Sequence, residues 1–187
     1  MRIDRLLYPV STLGPGDRVT LWTSGCSKHC DGCANPELWH SSPSQDMGVD
    51  AIAATLNELA SAHGAHRLTL TGGDPLEQPG DLMRLLRTVR AYYNDVLLYT
   101  GFRVEEVSRL LGSKMHEIEG LIDVLIDGRY VADLNKGTAL RGSSNQRVIF
   151  LNESLRETYE SYMQKGRVVQ NFVTSHGVIS VGIHEKE

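Results

Sequence analysis

Short β-branched or aromatic runs alternate along the chain with stretches whose apolar residues recur every three or four positions. The run at 19–23, Val-Thr-Leu-Trp-Thr, predicts a first strand, preceded by a turn at Gly14-Pro15-Gly16-Asp17-Arg18. Residues 1–12 show no clean period and are expected on the surface. Over 49–63, Ile52, Leu56, Leu59 and Ala60 keep helical spacing. The run at 67–71 predicts a second strand that ends in Gly72-Gly73-Asp74-Pro75. Leu82, Leu85, Leu86 and Val89 then mark a helix over 81–92. Strands follow at 95–100 and 121–126 around a short helix at 104–111, and a fifth strand at 147–150 precedes a helix at 153–163. Two β-rich runs, 167–174 and 178–183, flank Ser175-His176-Gly177 and predict a terminal hairpin.

This β-α-β-α order with short linkers predicts an α/β fold built on a mostly parallel sheet. No composition shift, repeat or low-complexity tract divides the chain, so 1–187 is expected to be one domain, with a core at about 8–150 and an extension at about 152–187. No apolar run approaches the ~20 residues of a membrane span, and no signal peptide is expected. The formal charge of −4 removes any electrostatic case for nucleic acid.

The candidate chemistry lies in 25–36, Gly-Cys-Ser-Lys-His-Cys-Asp-Gly-Cys-Ala-Asn-Pro. Cys26, Cys30 and Cys33 are the chain's 3 cysteines, an odd number too tightly spaced for a disulfide framework. Clustered thiols with no others point to a reducing compartment, the cytoplasm. Structural zinc is one reading, with His29 or His40 as fourth ligand, although zinc sites usually draw cysteines from two separated pairs. The other is an iron–sulfur cluster, where three cysteines leave one iron open. Gly72 and Gly73 at a strand end would let backbone approach a ligand closely, with Asp74 either beside that ligand or simply capping the next turn. Thr100 and Asp127 close the third and fourth strands, where α/β proteins build their sites, and each is also an ordinary turn former. Arg18 meets a carboxylate in a site or pairs at the surface. His176 and His184 receive no role.

Cys26-x-x-x-Cys30-x-x-Cys33 resembles the CxxxCxxC signature of radical S-adenosylmethionine (SAM) enzymes. The surrounding Gly14-x-Gly16-x-Arg18, Trp22, Gly25 and Asn35-Pro36-Glu37 are similar to the glycyl-radical-enzyme activases. Tyr8-Pro9-Val10, Thr71-Gly72-Gly73-Asp74-Pro75-Leu76 and Arg141-Gly142-Ser143-Ser144-Asn145-Gln146 are similar to the activases of anaerobic ribonucleoside-triphosphate reductase. Trp22 stands where the family usually has Phe, Ala34 where an aromatic often follows, and the tail beyond about 152 is longer than the family suggests.

The resemblance implies a shortened, open radical-SAM partial (β/α) barrel with a C-terminal hairpin extension. It implies a [4Fe–4S] cluster on Cys26, Cys30 and Cys33, and SAM on the open iron. Reductive cleavage of SAM would generate a glycyl radical on a partner, the anaerobic reductase. Gly72, Gly73, Asp74, Pro75, Thr100, Asp127, Arg141, Ser143 and Asn145 would contact SAM or face the partner. A flavodoxin-like or ferredoxin-like protein would donate the electron. The alternatives are a stand-alone radical SAM enzyme for another peptide or small molecule, and a non-catalytic zinc-binding module.

Overall fold

A computed structural model describes residues 1–175 and 177–183; His176 and His184 lie outside the described residues. Six strands form one sheet: β1 (Ile3–Val10), β2 (Arg18–Thr23), β3 (Arg67–Gly72), β4 (Asp95–Tyr99), β5 (Val124–Asp127) and β6 (Arg147–Phe150), hydrogen-bonded in that order. The steps from β2 to β5 are parallel, while β1 and β6 run antiparallel to their neighbours at the two edges. No described residues pair β1 with β6, so the sheet is open. The final strands, β7 (Val169–Thr174) and β8 (Gly177–Gly182), form a separate antiparallel hairpin, as the sequence predicts.

Helices α1 (Val49–His63), α2 (Pro79–Val89), α3 (Val104–Leu111) and α4 (Met115–Leu121) connect the parallel strands, and α5 (Arg156–Met163) follows β6. Ile52, Leu56 and Ala60 of α1 bury one stripe. That helix ends at Gly64, whose φ of +64° places its N–H on the carbonyls of Ala60 and Leu59. Pro79 opens α2, where a missing N–H costs nothing. None of the described helices is long and apolar enough to cross a membrane.

Strand alternation sorts the sheet into two faces. Val19, Leu21, Leu68, Leu70, Val96, Leu98 and Leu125 point into the main core with α1 to α4. Trp22 on the opposite face packs with Val10, Leu13, Leu38 and Val181, and Leu97, Val124 and Ile126 pack with Leu140 and Tyr159. Burial on both faces is what a parallel sheet demands, and β2 is buried at all six positions.

Two expectations need correction, and one open alternative is decided. Residues 1–12 are not merely surface: 3–10 form β1, and Met1 is buried against the core. Residues 115–121 fold as α4, so the fourth strand begins at Val124 and not at 121. Of the two readings of Arg18, the carboxylate one holds and the surface one does not: Arg18 is fully buried on the second face of the sheet. Its guanidinium donates to both carboxylate oxygens of Asp95 (2.6 and 3.0 Å), to Thr69 Oγ1 (2.7 Å) and to the carbonyl of Leu68 (2.8 Å). Tyr159 of α5 donates to Asp95 Oδ1 at 2.6 Å, so one buried ion pair joins β2, β4 and the C-terminal helix.

Candidate functional site

Because β2 to β5 are parallel, their C-terminal ends lie along one rim. The cysteine loop leaves β2 at this rim and closes on itself. Gly25 N donates to Leu38 O at 2.9 Å, and Cys26 N to Trp39 O at 3.0 Å. Within it, Cys33 N donates to Cys30 O at 3.1 Å through a turn in which Gly32 takes φ +70°. His29 adopts φ +43° and stacks on Trp39 with ring centroids 4.9 Å apart. All three thiols are free and half-buried. Burial pushes the Cys26 thiol above its ordinary range, against the backbone N–H groups of Lys28 and His29, which favour its thiolate.

The Gly72-Gly73 turn of β3 is pressed against the base of this loop. Gly73 N donates to Thr23 O at 2.8 Å and Asp74 N to Gly25 O at 2.9 Å. A Cβ on Gly72 would fall 2.4 Å from Thr23 N, and one on Gly73 2.4 Å from Gly25 O. The close approach these glycines allow is therefore to the protein's own backbone, where the sequence reading expects a ligand.

Asp74 is almost fully buried. It accepts from Leu76 N (3.0 Å) as the cap of the next turn, from Gly101 N (2.8 Å) and from Thr100 Oγ1 (2.9 Å). Burial lifts its carboxyl to about pKa 6, against those three donors. Asp74 and Thr100 thus bind each other and tie the end of β3 to the end of β4.

A cavity of about 500 Å³ opens beside the loop. Cys26, Cys30, Cys33, Gly73 and Thr100 line it; Gly72, Asp74, Pro75, Asp127, Arg141, Ser143 and Asn145 do not. Asp127 is buried against Arg147 and Arg103 and accepts from Val104 N at 2.8 Å, at the start of α3. Although burial acts to raise its pKa, the Arg147 guanidinium and its other donors bring it below the usual carboxylate range. Arg141 Nη1 donates to Gln146 O (2.9 Å), Ser143 Oγ accepts from Val131 N (3.1 Å), and Asn145 Nδ2 donates to Arg129 O (2.8 Å). These polar groups hold their own loop together, and from that stretch Gly142 and Gln146 reach the cavity wall.

Several lining residues were missed. Trp22 and Tyr99 point to the cavity side of their strands, which strand parity alone could have shown. Arg5 donates to Asn35 Oδ1 at 2.7 Å and lies 5.2 Å over the Trp22 ring; its position in β1 hid it. Lys28 sits between two cysteines, with Nζ 3.3 Å over the Phe102 ring. Tyr130 and Asn135 carry no sequence signal. Ser180, Val181, Gly182 and Ile183 also line the cavity, which brings the C-terminal hairpin to the site.

Comparison with known proteins sets this geometry in context. A family model described as a 4Fe-4S single cluster domain matches residues 12–149. The anaerobic ribonucleoside-triphosphate reductase-activating protein of Enterobacteria phage T4 is 34% identical over 153 residues, covering 79% of this chain and 93% of the relative. The proteins of the same name from Escherichia coli K12 and Salmonella typhi are 34% and 37% identical, each across 74% of this chain and 92% of the relative. The chain belongs to the anaerobic ribonucleoside-triphosphate reductase-activating protein family. In this member of the family, β7 and β8 fall outside the segment matched by the 4Fe-4S model.

The donor set fits an iron–sulfur cluster. Among the described residues, no three His, Cys, Asp or Glu side chains gather as the ligands of one metal ion would. A single zinc needs its ligands within about 2.0–2.3 Å of one point. A four-iron cluster sets each thiolate on a different iron, so its ligands need no common point. The free thiols border the cavity of about 500 Å³.

Proposed function

We propose that the protein is a radical SAM activase of a glycyl radical enzyme, with anaerobic ribonucleoside-triphosphate reductase as its partner. Cys26, Cys30 and Cys33 would hold a [4Fe–4S] cluster whose fourth iron takes SAM. When bound, the cluster supplies the electron that cleaves SAM reductively, leading to hydrogen abstraction from a backbone glycine of the reductase. The observation that carries this reading is the meeting of three free thiols from one loop with a cavity at the C-terminal rim of a parallel sheet. The relatives' names supply the partner. The sequential strand order and open sheet support a shortened partial barrel whose open side admits a macromolecular substrate.

The chain's own residues do three things in this scheme. The Gly25–Leu38 and Cys26–Trp39 backbone bonds present the cysteine loop as a fixed shape at the strand end. Asp74, held by Thr100 and Gly101, keeps the rims of β3 and β4 together beneath it. Trp22, Trp39 and Tyr99 give the cavity an aromatic lining that limits water around a reactive intermediate. A flavodoxin-like or ferredoxin-like protein is the proposed electron source. The reducing cytoplasm is the proposed location, where free thiols persist.

Anaerobic reconstitution with iron and sulfide tests the proposal. About four irons per chain should bind, and reduction in the presence of SAM should release 5′-deoxyadenosine. With the reductase added, a glycyl radical doublet should appear by electron paramagnetic resonance. Cys30→Ser should abolish iron loading while the apoprotein unfolds at the wild-type temperature, since the thiol is half-exposed and unbridged. Unimpaired SAM cleavage by Cys→Ala variants would refute the scheme.

A further inference from the structure

The hairpin β7–β8 has no place in the family segment, yet it forms part of the cavity wall. It is firmly seated. Val181 is buried beside Val10, Leu13 and Trp22, and its carbonyl accepts from Thr12 Oγ1 at 3.1 Å. Gln170 accepts from Ser11 N (3.0 Å) and donates to Pro9 O (2.9 Å). One hairpin face, with Phe172, Ile179 and Val181, therefore packs on the sheet.

The opposite face is different in kind. Strand alternation and the pairing of Val173 with Val178, Asn171 with Ser180 and Val169 with Gly182 put these six residues on one surface. Val173 is 86% exposed, Val178 64% and Val169 42%. Ser180 and Gly182 of this surface line the cavity together with Val181 and Ile183 of the packed face, so the end of β8 borders it from both sides of the strand. No charged residue occurs in 168–175 or 177–183, in a chain that is 22% charged. This face carries three exposed valines, with the polar pair Asn171 and Ser180 set between them, and an exposed apolar patch rimmed by polar residues marks an interaction site.

We propose that this outer face of β7–β8 docks the polypeptide segment that carries the reactive residue into the cavity. The segment would have an uncharged, apolar flank that lies across Val173 and Val178. This rests on the reading of the protein as an activase of a protein partner, and it adds where that partner binds. Continuity with the cavity chooses the occupant. A chain lying on Val178 and Ser180 is led along β8 to Gly182 and into the site, as a surface remote from the rim would not do. The missing charges set its chemistry, since an acidic or basic flank would lose its water against valine with no counter-charge among the described residues of the hairpin.

The test is the double variant Val173→Lys/Val178→Lys, whose positions are open enough to accept lysine without refolding the hairpin. Three measurements are made side by side on the holoprotein. These are SAM cleavage without partner, binding of the cognate reductase, and oligomeric state by sedimentation. The expected result is unchanged partner-free SAM cleavage with reductase binding weakened by about tenfold or more. Reductase binding equal to wild type overturns the proposal. So does a wild-type dimer that the variant splits without change in reductase binding, which would make the face a self-association surface. Binding is read separately from cleavage, so a wild-type protein that cleaved no SAM would count against the activase chemistry and leave the docking result readable.

Discussion

Gly73→Ala probes whether the cysteine loop is braced from below by the β3 turn. Gly73 does not have a left-handed φ, so alanine can take its backbone conformation and the test is purely one of space. The added Cβ would lie 2.4 Å from Gly25 O and 2.9 Å from Gly25 C and N, where ordinary contact begins at 3.4 Å. Those neighbours are backbone atoms that cannot rotate aside. Relief requires the two segments to part by about 1 Å. That movement breaks or weakens the Asp74 N–Gly25 O bond (2.9 Å) and the Gly73 N–Thr23 O bond (2.8 Å). At about 1 kcal/mol for each bond, plus a similar amount of overpacking strain, the expected loss is about 2–4 kcal/mol. Gly120→Ala is the matched control: nothing lies within 4 Å of its Cβ, and it sits in α4. There alanine should stabilise by about 0.5–1 kcal/mol. Urea unfolding of the apoproteins reads both values, and iron and sulfide content after reconstitution reads the loop. Gly73→Ala should lose cluster as well as stability, because Gly25 directly precedes Cys26. A Gly73→Ala protein within about 0.5 kcal/mol of wild type and with full iron would refute the brace.

Three further outcomes are expected. Asp95→Ala should cost about 3–5 kcal/mol in urea unfolding, because it leaves the buried Arg18 guanidinium uncompensated; a loss below about 1 kcal/mol would be that of a surface pair. For Asp74 the folded-state pKa of about 6 lies above the ordinary aspartate value of 3.8, so the native state holds its proton more tightly than the unfolded chain. Stability should therefore fall as pH rises from about 4 to 6, by about 3 kcal/mol in all, and the difference between Asp74→Asn and wild type should move in favour of the variant over that window. Asp127 carries the opposite sign: its pKa is lowered, so its contribution is present above about pH 4 and lost as acid takes the pH through its folded-state value. Asp127→Asn should flatten that acid arm in pH-dependent thermal unfolding.

What could be read from the sequence follows the range of the interactions. The parallel β-α alternation was legible because each strand and helix declares itself within about ten residues. β1 was not, because register shifts between Ile3 and Arg5 and between Leu7 and Val10 break its alternation, and as an edge strand it is mostly half-exposed. α4 is seven residues long and has no side-chain cap, too short for a period to show. Cys26, Cys30 and Cys33 were legible because their spacing is local. For Arg18 the sequence leaves a carboxylate partner and a surface pair both open: Asp95 is 77 positions away and Tyr159 of α5 lies 64 beyond that, so nothing near Arg18 announces the buried pair. Asp127, Arg141, Ser143 and Asn145 were chosen by likeness and by position on the rim. Rim position does not fix whether a polar side chain faces the cavity or serves its own backbone, and these four do the latter.

The charges at the rim follow one logic. Asp74 follows β3 and Asp127 ends β5, on either side of β4, yet both are turned inward to backbone N–H groups and, for Asp127, to Arg147 and Arg103. Neither lines the cavity, whose charged lining residues are Arg5 and Lys28. Arg5 is partly neutralised by Asp4 and Glu37, while Lys28 rests on the Phe102 ring and makes no ion pair among the described residues. The unneutralised Lys28 on the cavity wall suits a neighbouring group of negative charge. Three thiolates bound to an iron–sulfur core have that character. The carboxylates thus fasten the strand ends together and leave the cavity to cysteine, Arg5 and Lys28, and the hairpin residues that line it, 180–183, carry no charge. The anionic region of the proposed cluster would thereby be confined to the cysteine loop, and the hairpin side of the cavity suits an apolar chain.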